Sequence, residues 1–213
     1  MTLVLIDLGA TYWPGWFKTK SGVRAYENAI EVIDWYRREY ARVIVCADSP
    51  KSKRRDILDT YKANRPDKDP EAIDSLVAVQ NRVLKWGMPL VQCDGYEGED
   101  IVASLVEQAW PERVSIVGVD KDLWVLISDT VTIASPKGTI DAAGCFDKWG
   151  VQPEQMTDFL AMTGDAVDNI QGCPGIGPGR AADLLQRFGT LDAVMAASDE
   201  EIREVRGMGK TTL

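Results

Sequence analysis

Five short aliphatic runs punctuate the first two-thirds of this 213-residue chain: Leu3-Val-Leu-Ile6, Val43-Ile-Val45, Leu90-Val91, Val114-Ser-Ile-Val117 and Val131-Thr-Ile133. Each is too short for a helix and apolar on consecutive residues, the pattern of a strand covered on both faces in a parallel sheet. Helical patterns lie between them. One runs over about 21–40 with Ala29, Val32, Ile33 and Tyr36 on one face, and a second over about 70–86 with Ile73, Leu76, Val77, Val83 and Leu84. A third opens near Glu97 and carries Ile101, Val102, Leu105 and Val106. The alternation predicts an α/β fold, a mainly parallel central sheet flanked by helices with right-handed crossovers. From about Gly150 only helical patterns remain, at 153–162, 180–188 and 191–197. The expected division is therefore a core over 1–150, with a basic region at 49–87, and a small all-α subdomain over 151–213.

The chain contains no histidine. That excludes Ser-His-Asp and Cys-His nucleophilic sites, imidazole acid/base chemistry and imidazole-built metal centres. The four cysteines, Cys46, Cys93, Cys145 and Cys173, show no zinc-like spacing and read as reduced thiols. Asp7 interrupts the apolar N-terminal run, which has no basic segment before it, so no secretory leader is expected. No apolar stretch approaches the ~18 residues of a membrane span. A cytoplasmic protein with no membrane partner is expected. The net charge of -9 argues by itself against a polyanionic ligand.

The acids are not evenly placed. Asp7 ends the first predicted strand and Asp48 follows the second; Glu97, Glu99 and Asp100 follow the third, and Asp120 and Asp122 the fourth. Asp165 and Asp168 open part of the helical segment. In a parallel sheet the first four groups converge on the carboxyl edge, where ligands of such folds collect. A single Asp after a strand is commonly a helix cap or turn former. Four successive strands ending in acids point instead to hard cations, and all-oxygen ligation selects Mg²⁺ or Mn²⁺ over zinc. Two such ions about 4 Å apart activate water and stabilise the leaving oxygen of a phosphodiester without histidine.

Residues 49–65 carry six basic and two acidic side chains, a local charge of +4 that leaves -13 for the rest. Their place directly after Asp48 suggests phosphate binding rather than a solvated charged face. Tyr61 is expected to stack a terminal base, and Lys62 and Arg65 to meet a scissile phosphate. Further on, Gly172-Cys-Pro-Gly-Ile-Gly-Pro-Gly179 joins two helical patterns. It is either a tight corner that needs glycine or a hairpin that turns backbone N–H groups and a helix N-terminus toward a phosphate.

Five motifs carry a specific resemblance: Leu5-Ile-Asp7, Tyr61-Lys-Ala-Asn-Arg65, Gly95-Tyr-Glu-Gly-Glu-Asp100, Asp120-Lys-Asp-Leu123 and Gly164-Asp-Ala-Val-Asp-Asn-Ile-Gln-Gly-Cys-Pro-Gly-Ile-Gly177. Together they resemble the 5′ nuclease family of bacteriophage flap endonucleases and the N-terminal domain of bacterial DNA polymerase I. The resemblance implies a PIN-like core with a helix-hairpin-helix (three-helix) subdomain, hydrolysing DNA at 5′ flaps, nicks or free 5′ ends, as a monomer. It implies two Mg²⁺ ions, with Mn²⁺ able to substitute. Asp48, Glu97, Glu99, Asp100 and Asp120 would hold the first, Asp122, Asp165 and Asp168 the second, and Asp7 would complete the cluster. Lys62 and Arg65 would steer the scissile phosphate, with Arg54 binding it from an arch. Gly175, Gly177 and Arg180 would grip the duplex, with K⁺ at the hairpin. Glu99 stands where most members have Asp, and Gly179 where lysine is usual. The chain ends soon after the helix that follows the hairpin, and less duplex-binding surface is expected. Two rivals share the acidic core: a structure-selective DNA-binding protein that does not cut, and a PIN-type ribonuclease.

Overall fold

In the computed structural model the described residues are 1–118 and 120–205, so the last eight residues of the expected 151–213 subdomain lie outside them. The elements run β1 (Leu3–Asp7), α1 (Leu8–Thr19), α2 (Gly22–Glu39), β2 (Arg42–Ala47), α3 (Arg54–Ile57), α4 (Pro70–Lys85), β3 (Leu90–Gln92), α5 (Gly98–Ala109) and β4 (Val114–Val117). After a 3-10 turn at Lys121–Leu126 come β5 (Val131–Ser135), β6 (Gly138–Ile140), α6 (Ala142–Trp149), α7 (Met156–Thr163), β7 (Gly164–Asp165), β8 (Ile170–Gln171), α8 (Pro178–Phe188), α9 (Leu191–Ala196) and α10 (Asp199–Arg203). The chain forms two compact units, one of residues 1–53 and 66–140, the other of residues 54–65 and 141–213.

The first unit is built on one sheet of order β3-β2-β1-β4-β5-β6. All five predicted strands are present and parallel, and β6 adds an antiparallel edge. Leu5 and Ile6, which point to opposite faces, are both fully buried, which explains the unbroken aliphatic runs. The strand order turns back between β1 and β4, so a crevice opens at their carboxyl ends, where Asp7 and Asp120 stand.

The helices bury narrower stripes than the sequence suggests. In α4 the buried stripe is Ala72, Val79 and Val83, with Leu76 packed against it, while Val77 and Leu84 are exposed. In α2 it is Ala25, Ala29 and Ile33, and Val32 sits at its exposed margin. Helix α1 shows no clear periodicity and carries Pro14, which breaks the backbone ladder. Burial of Tyr12 and Trp16 nevertheless holds it, and the Tyr12 hydroxyl donates to the Ala72 carbonyl at 2.7 Å.

The second unit holds α3 and α6 to α10. Helix α6, absent from the sequence reading, buries Cys145, and Trp149 packs on Phe159 with ring centroids 5.8 Å apart. The segment after Gly150 is not purely helical, since β7 and β8 form a two-residue antiparallel ladder between α7 and α8. Its closeness demands glycine: a Cβ on Gly164 would lie 2.3 Å from the Gly172 nitrogen, and Gly164 has φ +70. All four cysteines are free thiols. Among the described residues no helix is long and apolar enough to cross a membrane.

Candidate functional site

In the first unit the acids follow from how strands feed helices. Asp7 ends β1 and caps α1, accepting the Ala10 N–H at 3.0 Å. Asp48 follows β2 and accepts the Gly98 N–H at 2.8 Å, which ties it to the start of α5. Glu97 and Asp100 form a capping box on that helix, with the Glu97 N–H donating to Asp100 Oδ2 at 2.9 Å. Asp120 begins the 3-10 turn and accepts the Asp122 N–H at 3.3 Å. Each acid thus has a local structural duty, as its position after a strand suggests, yet the caps leave carboxylate lone pairs for other ligands.

The electrostatics exceed what caps require. Asp7 is 6% exposed. Burial pushes its carboxyl up to about 7, and the Asp48 and Asp120 charges add to the rise against the lowering hydrogen bond from Ala10. Gly98 separates the acids: a Cβ there would stand 3.2 Å from Asp48 Oδ1 and 3.5 Å from Asp7 Oδ1. Gly9 is similar, at 3.3 Å from Asp7 Oδ1 and 3.4 Å from Asp48 Oδ2. Asp7, Asp48 and Asp120 therefore share one crevice, while Glu99 and Asp122 lie half-buried in the turns that open α5 and the 3-10 helix.

In the second unit the basic segment and the acids of the Asp165–Asn169 loop meet. Asp165 Oδ1 accepts the N–H groups of Val167 at 2.9 Å and Asp168 at 3.4 Å, closing a tight turn. Asp168 is 6% exposed. Its Oδ1 takes an ion pair from Arg65, whose Nε also donates to the Val167 carbonyl at 3.2 Å. Its Oδ2 accepts the Tyr61 hydroxyl at 3.0 Å and lies 3.6 Å from Lys62 Nζ. Arg54 donates in turn to the Tyr61 oxygen at 3.0 Å. These contacts explain why residues 54–65 group with 141–213 rather than with the rest of the expected 49–87 region.

One expectation is corrected. Tyr61 offers no stacking surface for a terminal base: it is 3% exposed, with Lys62 Nζ 4.8 Å and the Arg54 guanidinium 5.8 Å from its ring centroid. The two cations against its face and the buried acceptor at its hydroxyl make the ring a packing element. Asn64 and Asn169, quoted in motifs but given no role by the sequence reading, bridge these two segments. The signal was an amide in each motif, one of them at a backbone position that Asn tolerates.

The glycine segment leads into α8. Gly175 is left-handed at φ +78, Gly177 caps the helix in extended geometry, and Pro178 stands at its first turn. A Cβ at Gly177 or Gly179 would meet nothing within 4 Å, so their backbone faces open space. Arg180 Nη1 donates to the Gly175 carbonyl at 2.5 Å and braces the turn.

With this geometry in view, the comparisons are specific. Residues 3–150 match the family described as 5′-3′ exonuclease, N-terminal resolvase-like domain, and residues 151–211 match its C-terminal SAM fold. The chain belongs to the 5′-3′ exonuclease family. It is 39% identical over 162 residues to DNA polymerase I of Rhizobium leguminosarum, covering 74% of this chain and 16% of that one. It is 34% identical over 168 residues to a 5′-3′ exonuclease of Aquifex aeolicus, covering 76% of this chain and 58% of that protein. This exonuclease-family chain thus spans less than two-thirds of the length of either relative. Among solved structures, T5 5′-exonuclease with bound zinc aligns at TM-score 0.76 and 20% identity, covering 95% of this chain and 83% of that one. The catalytic core of Rad2 with DNA substrate aligns at 0.61 and 16%, covering 98% and 67%. Both show the fold, a mainly parallel PIN-like sheet with a helical C-terminal part.

Proposed function

We propose that this chain is a divalent-metal-dependent 5′ nuclease that hydrolyses DNA phosphodiesters as a 5′ to 3′ exonuclease and flap endonuclease. The observation that carries the reading is Asp7, buried at the switch point of the sheet and pushed up to about 7 by burial and by Asp48 and Asp120. Such crowding calls for a cation. The donors there are oxygens, since the chain has no histidine and burial pushes the neighbouring Cys46 thiol up to about 12. This set fits Mg²⁺, with Mn²⁺ as a substitute.

Asp48, Glu97, Glu99, Asp100 and Asp120 would hold one ion, Asp122, Asp165 and Asp168 a second, and Asp7 would complete the cluster. Bound there, the ions would supply an activated water and charge stabilisation of the leaving oxygen. Asp168 can serve a cation only if Lys62 and Arg65 release it, which turns both toward an anionic phosphate. Arg54 would contact the strand nearby. Gly175, Gly177 and Arg180 would hold the duplex backbone without reading sequence, aided by K⁺ at the hairpin. The substrate would be DNA with 5′ flaps, nicks or free 5′ ends, bound by a monomer in the cytoplasm. The named activities of the exonuclease relative and the metal- and DNA-bound structural neighbours support this reading.

A labelled 5′-flap duplex titrated with Mg²⁺ and Mn²⁺ tests it. Cleavage near the flap base is expected, abolished in Asp120→Asn while DNA binding persists. Flap binding with no cleavage by the unaltered protein would favour a structure-selective binding protein, and cleavage of RNA alone a PIN-type ribonuclease.

A further inference from the structure

We propose that Asn64 and Asn169 form a reciprocal amide clasp that positions Lys62 and Arg65 for the scissile phosphate, an inference that rests on the nuclease reading above. Each asparagine donates to the other's segment. Asn64 Nδ2 donates to the Ala166 carbonyl at 2.8 Å, and Asn169 Nδ2 donates to the Thr60 carbonyl at 2.8 Å. Between them the Lys62 N–H donates to the Asp168 carbonyl at 2.9 Å. Three hydrogen bonds therefore stitch residues 60–64 to residues 166–169, on both sides of Lys62 and directly before Arg65.

The two partners differ in stiffness. The Asp165–Asn169 loop is closed by the β7–β8 ladder, by the Asp165 turn and by the close approach of Gly164 to Gly172. Residues 58–65 have only turns of their own after the four-residue α3. The stiff loop thus sets the pose of the basic segment through the clasp. Lys62 shows the consequence, since it sits at φ +54, a left-handed conformation that is strained for a lysine and persists only where its surroundings over-determine it. Asn169 sits at φ +59, which asparagine tolerates well. An aspartate at either position would present only acceptors to a carbonyl, so the amide is required rather than a generic polar group.

The substitutions separate the amide from the backbone. Asn169→Gly keeps the left-handed conformation and deletes the donor, and exposed Asn64→Ala deletes the other donor without touching the core. On the purified full chain, the Lys62 amide in either variant should exchange hydrogen at least about tenfold faster, while β1 and β4 amides keep their protection. Flap cleavage should lose about 10- to 100-fold in kcat with KM held, the signature of misplaced rather than missing groups. Asn64→Gln, which keeps a donor on a longer arm, should recover part of both. Unchanged Lys62 exchange would overturn the clasp, and faster exchange with unchanged kcat would overturn its positioning role. Wild-type protein that protects Lys62 but cuts no DNA would overturn the nuclease reading, and with it the role of the clasp in that reaction, while leaving the contact itself observed.

Discussion

Asp7 and Asp168 are two carboxylates of equal burial treated in opposite ways. Asp168 is met by Arg65, Lys62 and the Tyr61 hydroxyl. Asp7 is met by backbone N–H groups and by the charges of Asp48 and Asp120, and its proton is held up to about 7. A buried acid is tolerated either by neutralisation with cations or by protonation. The contrast teaches that one unit carries its countercharge within the chain, whereas the other is built as though the countercharge arrives from outside.

The largest effect is expected where that difference is removed at Asp7. Its carboxyl rises from 3.8 to about 7 on folding, so the folded state binds the proton more tightly than the unfolded state. On this account stability is fullest below about pH 4, falls as pH climbs through the folded value, and stays low above it. Asp7→Asn keeps the acceptor for Ala10 and abolishes the charge. Its stability advantage over the unaltered chain, measured by urea unfolding without metal, should therefore grow by about 2–3 kcal/mol between pH 5 and pH 8. An advantage that does not change with pH would break the comparison. Added Mg²⁺ should raise the melting temperature of the unaltered chain more at pH 8 than at pH 5, and lose that effect in the variant.

Much of this contrast is legible in the residues, and the illegible part has physical causes. The five strands and the acids after them are visible because a doubly covered parallel strand must be apolar on consecutive residues and must end where the chain turns into a helix. Helix α1 is hidden because Pro14 and a dense aromatic content blur the period of 3.6, and tertiary burial of Tyr12 and Trp16 overrides local preference. Tyr61 misleads for a related reason. An aromatic among basic residues looks like a base-stacking platform, but its burial depends on Asp168, more than a hundred positions away. The Lys62 and Arg65 pairing with Asp168 is equally non-local.

A smaller effect is expected from Asp168→Asn, which keeps the shape of the second site and deletes its charge. The flanking cations are partly exposed, with side chains 21% accessible at Lys62 and 43% at Arg65, so water replaces much of what is lost. A cost of about 1–2 kcal/mol in thermal or urea unfolding follows, largely from the charge-assisted hydrogen bonds of Arg65 and Tyr61. A loss as large as that of a fully buried, unpaired charge would show that the carboxylate is neutralised less evenly than its contacts indicate. The variant should also bind single-stranded DNA more tightly at low salt, because Lys62 and Arg65 lose their internal anion, and the gain should vanish as salt rises.

The smallest effect sharpens the same contrast at a single atom. The Tyr61 hydroxyl donates to Asp168 and accepts from Arg54, so it relays a third cation to the buried acid without direct contact. Tyr61→Phe leaves the ring that fills the site and removes only this relay. About 1 kcal/mol of stability should be lost, since a buried carboxylate oxygen forfeits one donor while Arg65 and Lys62 remain. Combining it with Arg54→Ala should cost less than the sum of the two single losses, because the hydrogen bond from Arg54 to that oxygen is lost in either variant. Additive losses in the double-mutant cycle would show that Arg54 and Tyr61 act separately, and that Asp168 is neutralised by its two direct cations alone.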